Sequence, residues 1–246
     1  MIKNVLKGIW KGIIYEPFNY PYRRIIPDAL YGKKSSMIQN FRFAMGFIPF
    51  ARDLMYKTDV SERIVEDPFV ISEVTKLPLG SEILDFGCFS SILPLQFASL
   101  GYKVTGVDVN NYIYAHPNFK FLNIDFLDNK FKNNSFDLIY AVSALEHVGA
   151  GWYENEKAGI TDSQIIKEFK RILKLKGKLL VTVPFGKKAK MLTDSRMYDE
   201  KSLQNLFADF KIISKNYYTK KDNITWLPTD LKNLKSFNVS CWVMEK

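Results

Sequence analysis

Glu82-Ile83-Leu84-Asp85-Phe86-Gly87-Cys88 is a short apolar run that closes on an acid and a glycine. A helical segment follows, Ile92-Leu93-Pro94-Leu95-Gln96-Phe97-Ala98-Ser99-Leu100, and Gly101-Tyr102-Lys103 turns the chain into Val104-Thr105-Gly106-Val107-Asp108. The order is strand, tight loop, helix, strand, with a carboxylate at the carboxyl end of each strand. In open parallel sheets, ligands bind in the crevice outside those ends. The layout suits a nucleoside-like cofactor: backbone N–H groups of the first turn face its charged end, and Asp108 reaches ribose hydroxyls.

Outward from this unit the alternation continues. Upstream, residues 61–77 read as a helix bent near Pro68. Downstream, Phe119 to Ile124 is a short strand ending at Asp125, and Phe136 to Val142 is a buried strand followed by Ser143. Thr161-Asp162-Ser163-Gln164 fits a capping box, and Ile165, Ile166, Phe169, Ile172 and Leu173 then recur at helical spacing. After Lys176-Gly177, Lys178 to Val183 is a strand stopped by Pro184. A helix over about 199–208, a strand over 210–213 and an alternating run over 237–243 complete the series. Strands alternating with helices predict an α/β fold: a Rossmann-like, doubly wound, mostly parallel sheet with helices on both faces.

With 246 residues and 47% hydrophobic side chains, the chain can bury a full core, which argues against global disorder. No apolar run approaches the roughly 20 residues that span a bilayer. Lys7 and Lys11 interrupt any signal-peptide core, and Cys88 and Cys241 alone make no disulfide framework, so the expected location is cytoplasmic and reducing.

The net charge of +9 is uneven. Residues 1–58 carry ten basic and three acidic side chains, a net of +7. The expected division is therefore a basic, amphipathic N-terminal extension or lid over 1–58 and one α/β domain over 59–246. Ile2, Val5, Leu6, Ile9, Trp10 and Ile13 recur at helical steps with Lys3, Lys7 and Lys11 opposite. This pattern suits a helix lying on an anionic membrane, peripheral on its inner face, or docked on protein. Residues 15–35, with Pro17, Pro21, Pro27 and Gly32, read as a linker, and residues 37–50 as an apolar lid or core helix.

Asp85-Phe86-Gly87-Cys88, Asp108 and Asp125-Phe126, in this order and spacing, resemble the class I S-adenosylmethionine-dependent methyltransferases over roughly residues 60–215. The resemblance implies a seven-stranded sheet with the last strand antiparallel. It implies S-adenosylmethionine as cofactor, held by Asp85, Gly87, Cys88, Asp108, Val109, Asp125, Phe126 and Ser143. In that scheme Asp85 organises the first loop and receives the cofactor's amino group, directly or through water, Asp108 takes the ribose hydroxyls, and Asp125 and Phe126 hold the adenine. Phe89 and Ser91 stand where many members have glycine. The run Val142-Ser143-Ala144-Leu145-Glu146-His147-Val148-Gly149 is similar to the Leu-Glu-His-Val signature of many small-molecule methyltransferases. His147, with an unperturbed pKa near neutrality, is the best available general base; the alternative is that it orients the loop.

Other readings are weaker. A dinucleotide dehydrogenase needs G-x-G-x-x-G at the first turn, and Gly87-Cys88-Phe89-Ser90 does not supply it. Some relatives bind a metal through Glu-x-x-Glu-His, but Ser143 stands at the first glutamate, so no metal is expected. His116 reads as surface structure. The segments 149–160 and 216–236, aromatic and polar, read as insertions at the crevice mouth that suit small-molecule or glycan acceptors. The absence of an Arg-rich tract argues against nucleic acid, though an RNA methyltransferase and a non-catalytic cofactor-binding subunit stay open as alternatives. The leading expectation is methyl transfer to an oxygen of a small-molecule or glycan- or lipid-linked acceptor.

Overall fold

The computed structural model describes residues 59–151, 159–193 and 195–246. The expected 2–14 helix, the 15–35 linker, the 37–50 stripe and residues 152–158 of the aromatic segment lie outside the described residues. The described residues divide into two units, residues 59–64 with 221–225 and the described part of 65–220 with 226–246. In the first, the Val60 N–H donates to the Asn223 carbonyl at 2.7 Å. The second holds the sheet.

In chain order the elements are α1 (Arg63–Val74), β1 (Glu82–Phe86), α2 (Leu93–Ser99), β2 (Lys103–Asp108), β3 (Phe119–Asn123), β4 (Phe136–Val142), α3 (Asp162–Ile172), β5 (Leu173–Phe185), β6 (Lys190–Met191), β7 (Arg196–Met197), α4 (Glu200–Leu206), β8 (Lys211–Lys220), β9 (Trp226–Thr229) and β10 (Asn238–Glu245). The main sheet runs β3-β2-β1-β4-β5-β10-β8-β9. Strands β1 to β5 pair in parallel, and β10 is antiparallel to both β5 and β8. The chain leaves β1 towards β2 and β3, then returns to build β4 and β5 on β1's other side, which creates the switch point where such sheets bind ligands.

The sheet has eight strands, not seven. The extra one, β9, pairs antiparallel with β8 at the edge. Residues 216–236 are thus only partly an insertion, because β8 continues through Tyr217 and Tyr218 to Lys220. Pro228 sits in β9, where a missing N–H is tolerated because the strand has one neighbour only.

Both faces of the sheet are covered, so the strands read as continuous apolar runs rather than alternating ones. Within β1, Ile83 packs towards α1 and α2 while Leu84 packs towards α3. Within β4, Leu138, Tyr140 and Val142 join the first face and Ile139 and Ala141 the second. Helix α3 begins at the capping box read from the sequence: the Gln164 N–H donates to the Thr161 hydroxyl, and the Gln164 side chain accepts from the Thr161 N–H. It then buries Ile165, Ile166, Phe169 and Ile172 against the sheet, each contributing about 1.5–3 kcal/mol. Helix α1 runs through Pro68, which lies on its exposed side. No helix among the described residues is long and apolar enough to cross a membrane.

Candidate functional site

The tips of β1, β2 and β3 and the turns after β4 enclose a cleft lined by Phe86, Gly87, Val107, Asp108, Val109, Ile124, Asp125, Phe126, Ala144, Val148, Ile160 and Ile165. Its walls are apolar, with two carboxylates, Asp108 and Asp125, as the charged groups among them.

The first loop is built from below. Asp85 is 2% exposed and does not line the cleft. Tyr140, its register partner on β4, donates a hydrogen bond to its Oδ2 at 2.8 Å. Burial, with the Asp85 charge added, pushes the Tyr140 phenol well above its ordinary range, so it stays a donor. Gly87 adopts φ +80°, and a Cβ there would meet the Ala144 Cβ at 2.5 Å. Its N–H donates to the Val107 carbonyl at 2.9 Å, joining the β1 loop to β2. The Cys88 side chain points into the interior, where a Cβ on Gly106 would meet its Sγ at 2.8 Å. Burial first, then the charges of Asp85 and Asp108, push its thiol far up, so it packs rather than reacts.

Asp108 closes the loop from the side. Its Oδ2 accepts from the Phe89 N–H at 3.0 Å and its Oδ1 from the Asn110 N–H at 2.7 Å. Phe89 therefore serves through its backbone, which any side chain permits. Burial raises the Asp108 carboxyl above its ordinary range, against the opposing pull of the Asn110 and Phe89 hydrogen bonds. Each ionised carboxylate oxygen has two lone pairs, and Oδ2 uses one on the protein.

Asp125 caps a short 3-10 turn over 126–128, its Oδ1 accepting from the Leu127 N–H at 3.0 Å. Phe126 is buried edge-on against Phe86 and Phe169, with ring centroids 5.0 and 5.1 Å away. The aromatic wall at this end of the cleft thus rests on α3.

After β4, Ser143 takes a positive φ of 42°, and its hydroxyl donates to Oε1 of the fully buried Glu66 at 2.7 Å. It holds the turn and does not line the cleft. His147 lies half-buried in the 3-10 turn Leu145–His147, between the lining residues Ala144 and Val148 but not itself a lining residue. The turn is tied down from just past β7: the Tyr198 hydroxyl donates to Asp162 Oδ2 at 3.0 Å and lies 3.4 Å from the Leu145 carbonyl. Arg196 donates to the same Asp162 oxygen at 2.8 Å. His116 is at the surface, its Nδ1 accepting from the Asn118 N–H. Among the described residues no group of three or more His, Cys, Asp or Glu side chains could hold a metal ion.

Residues 84–181 match the protein family described as "Methyltransferase domain". Over these residues the chain carries a methyltransferase domain, on the fold shared by solved S-adenosylmethionine-dependent methyltransferases. S-adenosylmethionine is the cofactor named for those solved structures. Among solved structures the chain is similar to an S-adenosylmethionine-dependent methyltransferase from Methanosarcina mazei, with 21% identity, TM-score 0.51, and 71% of this chain and 96% of that one covered. It is similar, at 17% identity and TM-score 0.54, to a candidate methyltransferase from Haloferax volcanii in complex with the Trm112 methyltransferase activator, covering 73% of this chain and 91% of that one. The [4+2]-cyclase SpnF shares the fold at 16% identity and TM-score 0.55, covering 78% of this chain and 84% of that one. No curated protein sequence matches the chain.

Of the residues expected for the methyltransferase, the structure brings Gly87, Asp108, Val109, Asp125 and Phe126 to one cleft. It sets Asp85, Cys88 and Ser143 behind that surface as supports. Sequence reasoning missed the groups that brace the site: Tyr140, Glu66, and the Arg196–Tyr198–Asp162 cluster. Their contacts join residues 34 to 77 positions apart, where no periodicity signals a pairing.

Proposed function

We propose that the cleft holds S-adenosylmethionine and that the chain transfers its methyl group to an oxygen of a small-molecule or glycan- or lipid-linked acceptor. One observation carries the cofactor part: an apolar cleft at the switch point that places Asp108 on one strand tip and Asp125 with Phe126 just past the next. These residues fit the group. A nucleoside needs an acceptor pair for its ribose hydroxyls, an acceptor for its exocyclic amine and apolar walls for its ring. Asp108 and Asp125 supply the acceptors, and Phe126 and Ile165 are among the apolar walls.

The cofactor supplies a methyl group already activated on a sulfonium. The chain must align the acceptor and, for a hydroxyl, accept its proton. In our reading Asp108 and Asp125 orient the nucleoside, while the backbone of Gly87, Cys88 and Val109 lies against it. Asp85 and Ser143 fix the two loops that flank it. His147, on the turn between Ala144 and Val148, takes the acceptor proton. The expected anchor is the inner membrane face, through residues 2–14.

The test is transfer of label from methyl-labelled S-adenosylmethionine to a panel of hydroxyl acceptors. His147→Gln should lower kcat by about 10²–10⁴ with cofactor affinity unchanged. Label recovered only on nitrogen or carbon, or full activity in His147→Gln, would contradict the oxygen-and-base reading.

A further inference from the structure

Beyond β5 the carboxyl edge of the sheet has a second half that the cleft does not use. Phe185, the last residue of β5, is the register partner of Asn238, the first of β10, and the Asn238 amide donates to the Phe185 carbonyl at 3.1 Å. Two segments therefore meet at one point of the rim: the β6–β7 hairpin leaving β5, and the loop that returns from β9. Lys187, Lys188 and Lys190 of the hairpin are exposed, and so are Met191 and Leu192 at its tip, 56% and 42% open to solvent. On the returning loop Lys235 and Phe237 are exposed, and the Phe237 ring lies 5.6 Å from that of Trp226. Across residues 186–198 and 226–237 there are six basic and two acidic side chains, a net of +4.

We infer that this rim is a docking surface for an anionic lipid bilayer. Exposed aliphatic and aromatic side chains interleaved with lysines match the two layers of such a surface: apolar groups enter the interface while lysine stems lie along it with their heads among the phosphates. A nucleic acid offers the same charge but nothing to cover Met191 and Leu192. The one arginine of the rim, Arg196, is spent on Asp162 and not directed at phosphates. The hairpin is also coupled to the site. Its base, through Tyr198 and Arg196, grips Leu145 and Asp162 around the His147 turn, so a docked rim sets that turn beside the lipid surface. The inference deepens the lipid-linked reading of the acceptor and rests on it for its use; docking itself is measured without methyl transfer.

The experiment is co-sedimentation of the full chain with vesicles of two parts phosphatidylcholine to one part phosphatidylglycerol, and with pure phosphatidylcholine. Binding is expected to the anionic vesicles and to weaken as salt rises. Each rim lysine replaced should weaken it about fivefold. The exposed triple variant Lys187→Gln, Lys188→Gln, Lys190→Gln and the charge-neutral pair Met191→Ser, Leu192→Ser should each weaken it at least roughly tenfold. Both should retain wild-type affinity for S-adenosylhomocysteine, which checks their folding, and Phe237→Ser is an independent third probe. Failure of the wild type to bind anionic vesicles overturns the inference. So does wild-type partitioning by the rim variants, which would assign binding to another region such as residues 2–14. Salt-sensitive binding of single-stranded RNA that the lysine variant loses, without vesicle binding, also overturns it. Absence of S-adenosylhomocysteine binding with vesicle docking intact would instead strike the cofactor reading alone.

Discussion

Tyr140 on β4 donates a 2.8 Å hydrogen bond to Asp85 on β1, its partner in register. The acid one residue before the end of the first strand is thereby anchored from the neighbouring strand and held under the cleft. Its task in the fold is to shape the loop that Gly87 then brings against Ala144.

Tyr140→Phe removes that donor from a buried carboxylate. Unfolding in urea should show a loss of about 1–3 kcal/mol, with weaker S-adenosylhomocysteine binding as the loop loosens. The phenol's pKa is raised in the folded state, chiefly by burial. Its stabilising effect is therefore complete below an unfolded tyrosine's pKa of about 10 and is lost as pH rises beyond it. The variant should lose part of the wild type's decline in stability above that pH. An unchanged urea midpoint would contradict this account of the loop.

At Gly87 two effects combine. An added Cβ meets Ala144 at 2.5 Å, and φ is +80°. Gly87→Ala should destabilise by about 1–3 kcal/mol. Adding Ala144→Gly relieves the clash but not the dihedral strain, so the double variant should recover part of the loss. Full recovery would mean the backbone conformation costs nothing.

Tyr198→Phe breaks the bond to Asp162 and removes the hydroxyl that sits against the Leu145 carbonyl of the His147 turn. Stability should fall by about 1–2 kcal/mol. In the transfer assay kcat should drop with S-adenosylhomocysteine affinity unchanged, because the turn moves while the strand tips do not. An equal fall in cofactor affinity would place Tyr198 in the cofactor slot instead.

Asp108 supplies a pH signature. Burial raises its carboxyl pKa, and a neutral carboxyl accepts ribose hydroxyls less well than a carboxylate. Cofactor affinity should therefore fall on acidification at a pH above an ordinary aspartate's value of about 3.9. Asp108→Asn should flatten that fall.

The central βαβ unit was legible because its signals are local. An acid and a glycine end one apolar run, another acid ends the next, and Thr161 and Gln164 mark the start of α3 within four residues. What escaped is long-range or short. Strand β9 carries a proline and four residues, too few to show alternation. Strands β6 and β7 have two residues each, and only tertiary pairing reveals them. Tyr140–Asp85 and Ser143–Glu66 span 55 and 77 positions. Position also sorts residues that a motif treats alike: Asp108 ends β2 and reaches the cleft, whereas Asp85 lies one residue inside the end of β1 and does not.

The most direct test of the central claim is isothermal titration of S-adenosylhomocysteine into the wild type and Asp108→Ala. The account predicts saturable, one-to-one binding to the wild type and an affinity lower by about 1–3 kcal/mol in the variant, as a buried charged acceptor loses its hydroxyl partners. No heat of binding to the wild type at millimolar ligand, or equal affinity in the two proteins, would contradict it.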